Sequence, residues 1–225
     1  AEGADVVTGS THKTFFGTQR GLVAGNFPEG HPYKALWSEI KSRAFPGSTS
    51  NHHLGSLLGL LMASYEMNEF KAEYQGQVRK NARAMAAALK SHGITVEGDP
   101  SDGFTETHQV IVKEFGPGME IARRLEDNNI IINYQALPDD EGFLGSSGLR
   151  IGVQEMTRFG MKEGDFDRLA GLMADVIIRN GNVKADVAAY RKEFLEMSYC
   201  LPADKALPLA ARVIRSEDRT RLKAM

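Results

Sequence analysis

An α/β fold is what this sequence predicts, and three observations carry the expectation. Short β-rich runs at 94–97, 109–112, 130–133 and 149–152 alternate with helical stretches at 119–127 and 166–180, as in α/β and α+β domains. Ahead of them, Leu54, Leu57, Leu58, Leu61, Met62 and Tyr65 recur at spacings of three and four, the mark of one core-facing helix stripe. With 42% hydrophobic and 25% charged residues, the 225-residue chain has enough apolar side chain to bury a core.

Taken in order, residues 4–8 read as a short buried strand, because Val6 and Val7 are β-branched and Gly9-Ser10 punctuates the run. Residues 21–24 form a second strand so close behind that the two predict a hairpin-like pair around the 11–20 loop. Lys13 then falls just past the first strand. From 51 to about 89 the pattern is helical, as one long helix or two, since Val78, Ala82, Met85, Ala86 and Leu89 continue the period. Gly93 supplies the stop, and the shift in composition there places a boundary between two lobes. The Gly116-Pro117-Gly118 turn starts the helix at 119–127. A final helix at 183–200 precedes a mixed-charge tail, 203–225, whose periodic signal is confined to 207–214.

A formal net charge of −2 without a long basic block argues against nucleic acid or an anionic membrane as partner and favours small molecules. The single cysteine, Cys200, excludes an intramolecular disulfide and a thiolate cluster for zinc, and points to a reducing compartment, the cytoplasm. No apolar run approaches the roughly 18 residues of a membrane span, and no charged-then-apolar signal pattern opens the chain. A first residue other than methionine predicts a processed or excised chain.

Ser10-Thr11-His12-Lys13-Thr14 sets a lysine after an apolar strand, among hydroxyls and an imidazole, ahead of Gly17 and Gly21. That setting suits imine chemistry: the amine must be neutral to condense with an aldehyde, and partial burial beside another potential cation favours the neutral form. An arbitrary lysine at a strand end is merely solvated. Here the motif decides, because Thr-His-Lys-Thr after a strand ending in Val-Val-Thr closely resembles the cofactor-lysine segment of the serine hydroxymethyltransferases. That family usually continues Gly-Pro-Arg-Gly or Gly-Pro-Gln-Gly. This chain has Gly17-Thr18-Gln19-Arg20-Gly21, with Thr18 in the place of the proline and Arg20 in the place of a glycine.

Ser147-Gly148-Leu149-Arg150-Ile151-Gly152, followed by Thr157-Arg158-Phe159-Gly160-Met161, resembles a second family segment, whose strand arginine grips the amino-acid carboxylate. A guanidinium on a rigid strand offers two parallel donors and fixes orientation better than an ammonium. The competing reading of Arg150 is a structural ion pair. Residues 45–53 take the place of a loop that reaches the neighbouring subunit's cofactor phosphate, and Ser50 and Asn51 also read as a helix N-cap, where free amides favour an anion. Adjacent His52 and His53 point about 100° apart on a helix, no second cluster supports them, and no metal is expected. Tyr74, Gln77 and Asn81 lie in a stretch similar to the family's helix after that loop. His108 opens a family-like strand and is expected to be structural. Asp139 stands where the family commonly has an asparagine that contacts the folate ring.

The resemblance implies the carboxyl-terminal part of a fold-type I pyridoxal-phosphate transferase: 1–93 as the end of the large domain, 94–200 as a small α+β domain and 201–225 as a tail. It implies pyridoxal 5′-phosphate held by Lys13 with Ser10, His12, Ser50 and Asn51, catalytic positioning by Thr11, His12 and Thr14, and an amino-acid substrate on Arg150. Tetrahydrofolate or a modified pterin is the co-substrate to consider. The family's remaining cofactor groups lie upstream of the lysine segment, so the resemblance also implies an amino-terminal half, or a second polypeptide, and a homodimer or higher oligomer. Three functions stay open: a hydroxymethyltransferase fragment or subunit, a threonine aldolase or transaldolase-like enzyme without folate, and a non-catalytic assembly subunit.

Overall fold

The computed structural model describes residues 3–113, 116–142 and 145–214. The chain divides into two compact units, Ala1–Glu69 with Leu201–Met225, and Phe70–Cys200. The boundary expected near Gly93 falls just after the end of a helix at Leu54–Ser91.

In the first unit, β1 (Val6–Ser10) and β2 (Gly21–Gly25) pair antiparallel, with Val6 opposite Gly25 and Ser10 opposite Gly21. The hairpin is as expected, but its burial is not. Val7, Leu22 and Val23 are 55%, 52% and 41% exposed, because the described residues place no third strand or covering layer on the pair. Helix α1 (Lys34–Ser42) follows and buries none of its residues. Just before it, Phe27 is buried and stacks on Trp37, ring centroids 5.5 Å apart, with the His31 ring edge-on at 5.1 Å.

Helix α2 (Leu54–Ser91) is a single helix of 38 residues. It ends as expected at Gly93, whose φ of +86° suits a residue without a side chain, while the Ile94 N–H donates to the Leu89 carbonyl at 3.0 Å. Helix α7 (Ala203–Ile214) is anchored to the first unit's stretch of α2: the Leu201 N–H donates to Glu66 Oε1 at 3.0 Å and Lys205 faces Glu69 at 3.9 Å.

The second unit holds a four-stranded antiparallel sheet in the order β3 (Thr95–Val96), β4 (Gln109–Lys113), β6 (Gly148–Gly152), β5 (Asn133–Gln135). Val110 lies opposite Ile151 and Val112 opposite Leu149; all four are buried. They share a core with Ile121 and Leu125 of α3 (Gly118–Asp127), with Phe166, Ala170 and Met173 of α5 (Glu163–Arg179), and with Val78, Met85 and Leu89 of α2. The short α4 (Gln154–Arg158) leads out of β6, and α6 (Lys184–Arg191) follows α5.

Two boundaries move. The strand expected at 130–133 begins at Asn133, because Asn129 at φ +64° and an Ile130 N–H donated to the Leu125 carbonyl spend Ile130 on closing α3. The helix expected to reach 200 ends at Arg191, and Phe194 turns back edge-on against Tyr190 at 5.2 Å. Among the described residues, no helix is long and apolar enough to cross a membrane.

Candidate active site

Lys13 sits in the loop that joins β1 to β2. Hydrogen bonds within the loop set its shape: the Thr11 N–H donates to the Arg20 carbonyl at 3.0 Å, Gly17 to Thr11 at 2.7 Å and Phe16 to Lys13 at 2.9 Å. Thr11 is 7% exposed, and its hydroxyl lies 2.7 Å from the Thr18 carbonyl and 3.1 Å from that of Arg20, so its one proton is committed to the loop's own backbone. Ser10, His12 and Lys13 are exposed and Thr14 is half-buried. The partial burial expected of Lys13 is therefore not supplied by the described residues, since nothing in the loop folds over its side chain.

The loop leans on the first turns of α2. A Cβ on Gly17 would stand 2.7 Å from Leu60 Cδ1 and 2.7 Å from the Thr11 oxygen, so the approach requires glycine. The Thr18 hydroxyl donates to the Ser56 carbonyl at 2.6 Å, and Arg20 Nη2 donates to that of His53 at 3.1 Å. Ser50 and Asn51 do not cap this helix. It begins at Leu54, with the Leu57 N–H on the His53 carbonyl at 3.1 Å as the first turn, and leaves both residues in the exposed segment before it. His52 and His53 are also exposed, and among the described residues no three His, Cys, Asp or Glu side chains gather as a metal site.

Arg150 lies on β6 between Ile111 of β4 and Asn133 of β5. Alternation along the strand points it away from the face that carries Leu149 and Ile151. Its side chain is half-buried, and no described residue gives it a hydrogen bond or an ion pair, so the structural ion-pair reading has no partner to name. It lines a groove of about 700 Å³ with Met119, Arg123, Glu126, Asn133 and Tyr134. The loop into β6 is tied by Asp140, whose Oδ2 accepts the N–H of Leu137 at 2.7 Å and of Ser147 at 2.9 Å. Those amides, Leu137 foremost, hold its carboxyl below the usual carboxylate range. Asp139 beside it is exposed.

The segment after Arg150 is built into the second unit by polar contacts that sequence reasoning missed. Asn81 is fully buried on α2. Its Nδ2 donates to Thr157 Oγ1 and to the Met161 carbonyl, both at 2.8 Å, and its Oδ1 accepts from Gln77 at 2.9 Å. The Tyr74 hydroxyl donates to the Gln154 carbonyl at 3.1 Å, and burial pushes that phenol up to about 12, partly offset by Arg158. Arg158 Nη2 lies 3.2 Å from Cys200 Sγ. The backbone carbonyl of His108 accepts the Val153 N–H at 3.1 Å. A signal for the Asn81 contact was present, since Tyr74, Gln77, Asn81 and Thr157 all fall in family-like stretches, but the sequence does not say that these stretches meet.

The donor types suit a phosphorylated aromatic aldehyde: a primary amine on a braced turn, the hydroxyls of Ser10 and Thr14 and the imidazole of His12 next to it in sequence, and exposed polar residues before α2. Lys13 belongs to the first unit and Arg150 to the second.

Comparison with known proteins gives a consistent picture. The family model described as serine hydroxymethyltransferase matches residues 1–173. Serine hydroxymethyltransferase of Pyrobaculum aerophilum is 43% identical over 210 residues, 92% of this chain and 47% of that protein. That of Archaeoglobus fulgidus is 46% identical over 200 residues, 87% of this chain and 43% of its own length. The chain thus spans about half the length of these relatives. Among solved structures, L-threonine transaldolase from Pseudomonas fluorescens, in its internal aldimine state, is similar with a TM-score of 0.81 and 30% identity, over 94% of this chain and 49% of that one.

Proposed function

Because the chain belongs to the serine hydroxymethyltransferase family, we propose that it is the lysine- and arginine-bearing part of a pyridoxal-phosphate hydroxymethyltransferase that interconverts a β-hydroxy amino acid and glycine. In this reading Lys13 is the covalent anchor of the cofactor, with Ser10, His12, Ser50 and Asn51 among its polar neighbours. When bound, the cofactor supplies the carbonyl that Lys13 engages and a ring that accepts the electron pair left on the substrate's α-carbon.

This chain's own residues do the rest. Thr11 fixes the backbone ahead of Lys13, while His12 and Thr14, its neighbours in sequence, would help position the amine and a bound polar group. Arg150 binds the substrate carboxylate through a two-pronged contact, and the observation that carries the proposal is a half-buried arginine on the groove's wall without a partner among the described residues. Its paired donors are matched by a carboxylate.

The relatives are about twice as long, which supports an amino-terminal portion that completes the site, and the exposed valines of β1 and β2 are the surface it would cover. Residues 1–93 belong, in this reading, to the large domain and 94–200 to the small one, in a cytoplasmic homodimer. A second reading, a folate-independent transaldolase, is favoured by the exposed carboxylate of Asp139 and by the likeness to L-threonine transaldolase. The test is to supply the amino-terminal portion of a relative and measure serine cleavage with and without tetrahydrofolate. Folate-stimulated cleavage that needs both parts is expected. Activity of the lone chain at high dilution would overturn the division of the site.

A further inference from the structure

The loop around Lys13 is held in two ways. The bonds among Thr11, Gly17 and Arg20 set its internal shape, but none of them ties the loop to the helix beside it, and the seat on that helix is what keeps them closed. Among the described contacts, two hydrogen bonds from side chains of the loop reach the start of α2: Thr18 Oγ1 to the Ser56 carbonyl at 2.6 Å and, one turn earlier, Arg20 Nη2 to the carbonyl of His53, the residue before the helix, at 3.1 Å. The His53 oxygen also takes the Leu57 N–H at 3.1 Å, so Arg20 uses its second lone pair and does not compete with the helix.

The same two residues reach back toward Lys13. Their backbone carbonyls are the acceptors around the Thr11 hydroxyl, at 2.7 and 3.1 Å. A continuous path of hydrogen bonds therefore runs from the residue two before Lys13, through Thr18 and Arg20, to the start of α2. Packing agrees, since a Cβ on Gly59 would stand 2.7 Å from Thr18 Cγ2. A proline at 18 or a glycine at 20, the residues of the usual pattern, supplies neither donor.

We propose that Thr18 and Arg20 form a two-point latch that holds the Lys13 loop on the first turns of α2, and are thereby positioning residues for the Lys13 amine. The proposal rests on the reading of Lys13 as the cofactor lysine. Neither residue touches the cofactor in this account; both act through the backbone of the loop.

The test compares the full 225-residue chain with Thr18→Val, Arg20→Met, the double variant and Arg20→Lys. Amide exchange at Thr11 and Gly17 is read against Val110 and Val112 as an internal reference. The share of pyridoxal 5′-phosphate that borohydride fixes on Lys13, relative to the other lysines, is counted by peptide mass spectrometry.

Each single variant should speed exchange at Thr11 and Gly17 by about 3- to 10-fold, the worth of one partly exposed hydrogen bond. The Lys13 share should fall in step, with partial rescue by Arg20→Lys, which keeps a donor. Unchanged exchange or an unchanged Lys13 share in the double variant overturns the latch, as does faster exchange that extends equally to Val110 and Val112. A parent adduct on some other lysine is a different failure: it removes the cofactor role of Lys13 and with it the positioning claim.

Discussion

Replacing Asn81 by alanine should be among the most damaging single changes in the second unit. The side chain is fully buried, and its amide spends both hydrogens, on Thr157 Oγ1 and the Met161 carbonyl at 2.8 Å each, while its oxygen takes the Gln77 amide at 2.9 Å. The losses are unequal. Thr157 keeps its own bond to the Val153 carbonyl at 2.8 Å, and Gln77 keeps Glu163 at 2.9 Å. The Met161 carbonyl has no such substitute among the described contacts. Two or three net hydrogen bonds at about 1 kcal/mol each, together with one stranded buried carbonyl at about 1–3 kcal/mol, give a loss of about 3–6 kcal/mol. Gln77→Ala, nearer the surface, should lose about 1 kcal/mol or less. Urea unfolding followed by circular dichroism measures both, and a cycle with Thr157→Val isolates the direct contact, expected at about 1 kcal/mol. Asn81→Ala within 0.5 kcal/mol of the parent, or no worse than Gln77→Ala, would refute the network as a source of stability, the smaller figure being about the scatter of surface changes.

Three further outcomes concern Arg150 and the loop that leads into its strand. Arg150→Lys should weaken amino-acid binding by about 1.5–3 kcal/mol while cofactor binding stays near normal, because charge remains but the paired donors do not; calorimetric titration separates the two, and equal loss of both would mark a folding residue. Asp140 has its folded value lowered by the Leu137 and Ser147 amides, so its stabilising contribution is present above the ordinary carboxylate value and is lost as pH falls through the lowered one. Exchange protection of those two amides should follow that course and be weak at every pH in Asp140→Asn. Asp139→Asn should raise tetrahydrofolate-dependent serine cleavage relative to folate-independent cleavage of a threonine-like substrate; an unchanged ratio would leave the transaldolase reading without its sequence argument.

The elements legible in the sequence were those whose pattern reports a local cause. Strands β4 and β6 show alternation against a core, α5 shows a sustained apolar stripe, and the α2 stop is a glycine at the position that needs one. Helix α1 escaped notice because Leu36, Trp37 and Ile40 give less than two turns of pattern and none of the helix is buried. The run Ile130-Ile131-Ile132 misled because three consecutive isoleucines carry no period: the first is buried in closing α3, and the second is 83% exposed. Ser50 and Asn51 have the chemistry of caps, but the helix starts at Leu54 with His53 as its first acceptor. For the site, Lys13 and Arg150 were readable from motifs. The roles of Thr18, Arg20, Asn81 and Asp140 were not, since each depends on a partner far along the chain or on a loop closure that composition does not encode.

The central claim is that Lys13 carries the cofactor. Incubating the chain together with the amino-terminal portion of a relative and pyridoxal 5′-phosphate, reducing with borohydride and mapping the modified peptides tests it directly. The account predicts a reduced adduct concentrated on the peptide that contains Lys13, absent in Lys13→Ala, with turnover lost in that variant. An undiminished adduct at another lysine in Lys13→Ala would contradict it.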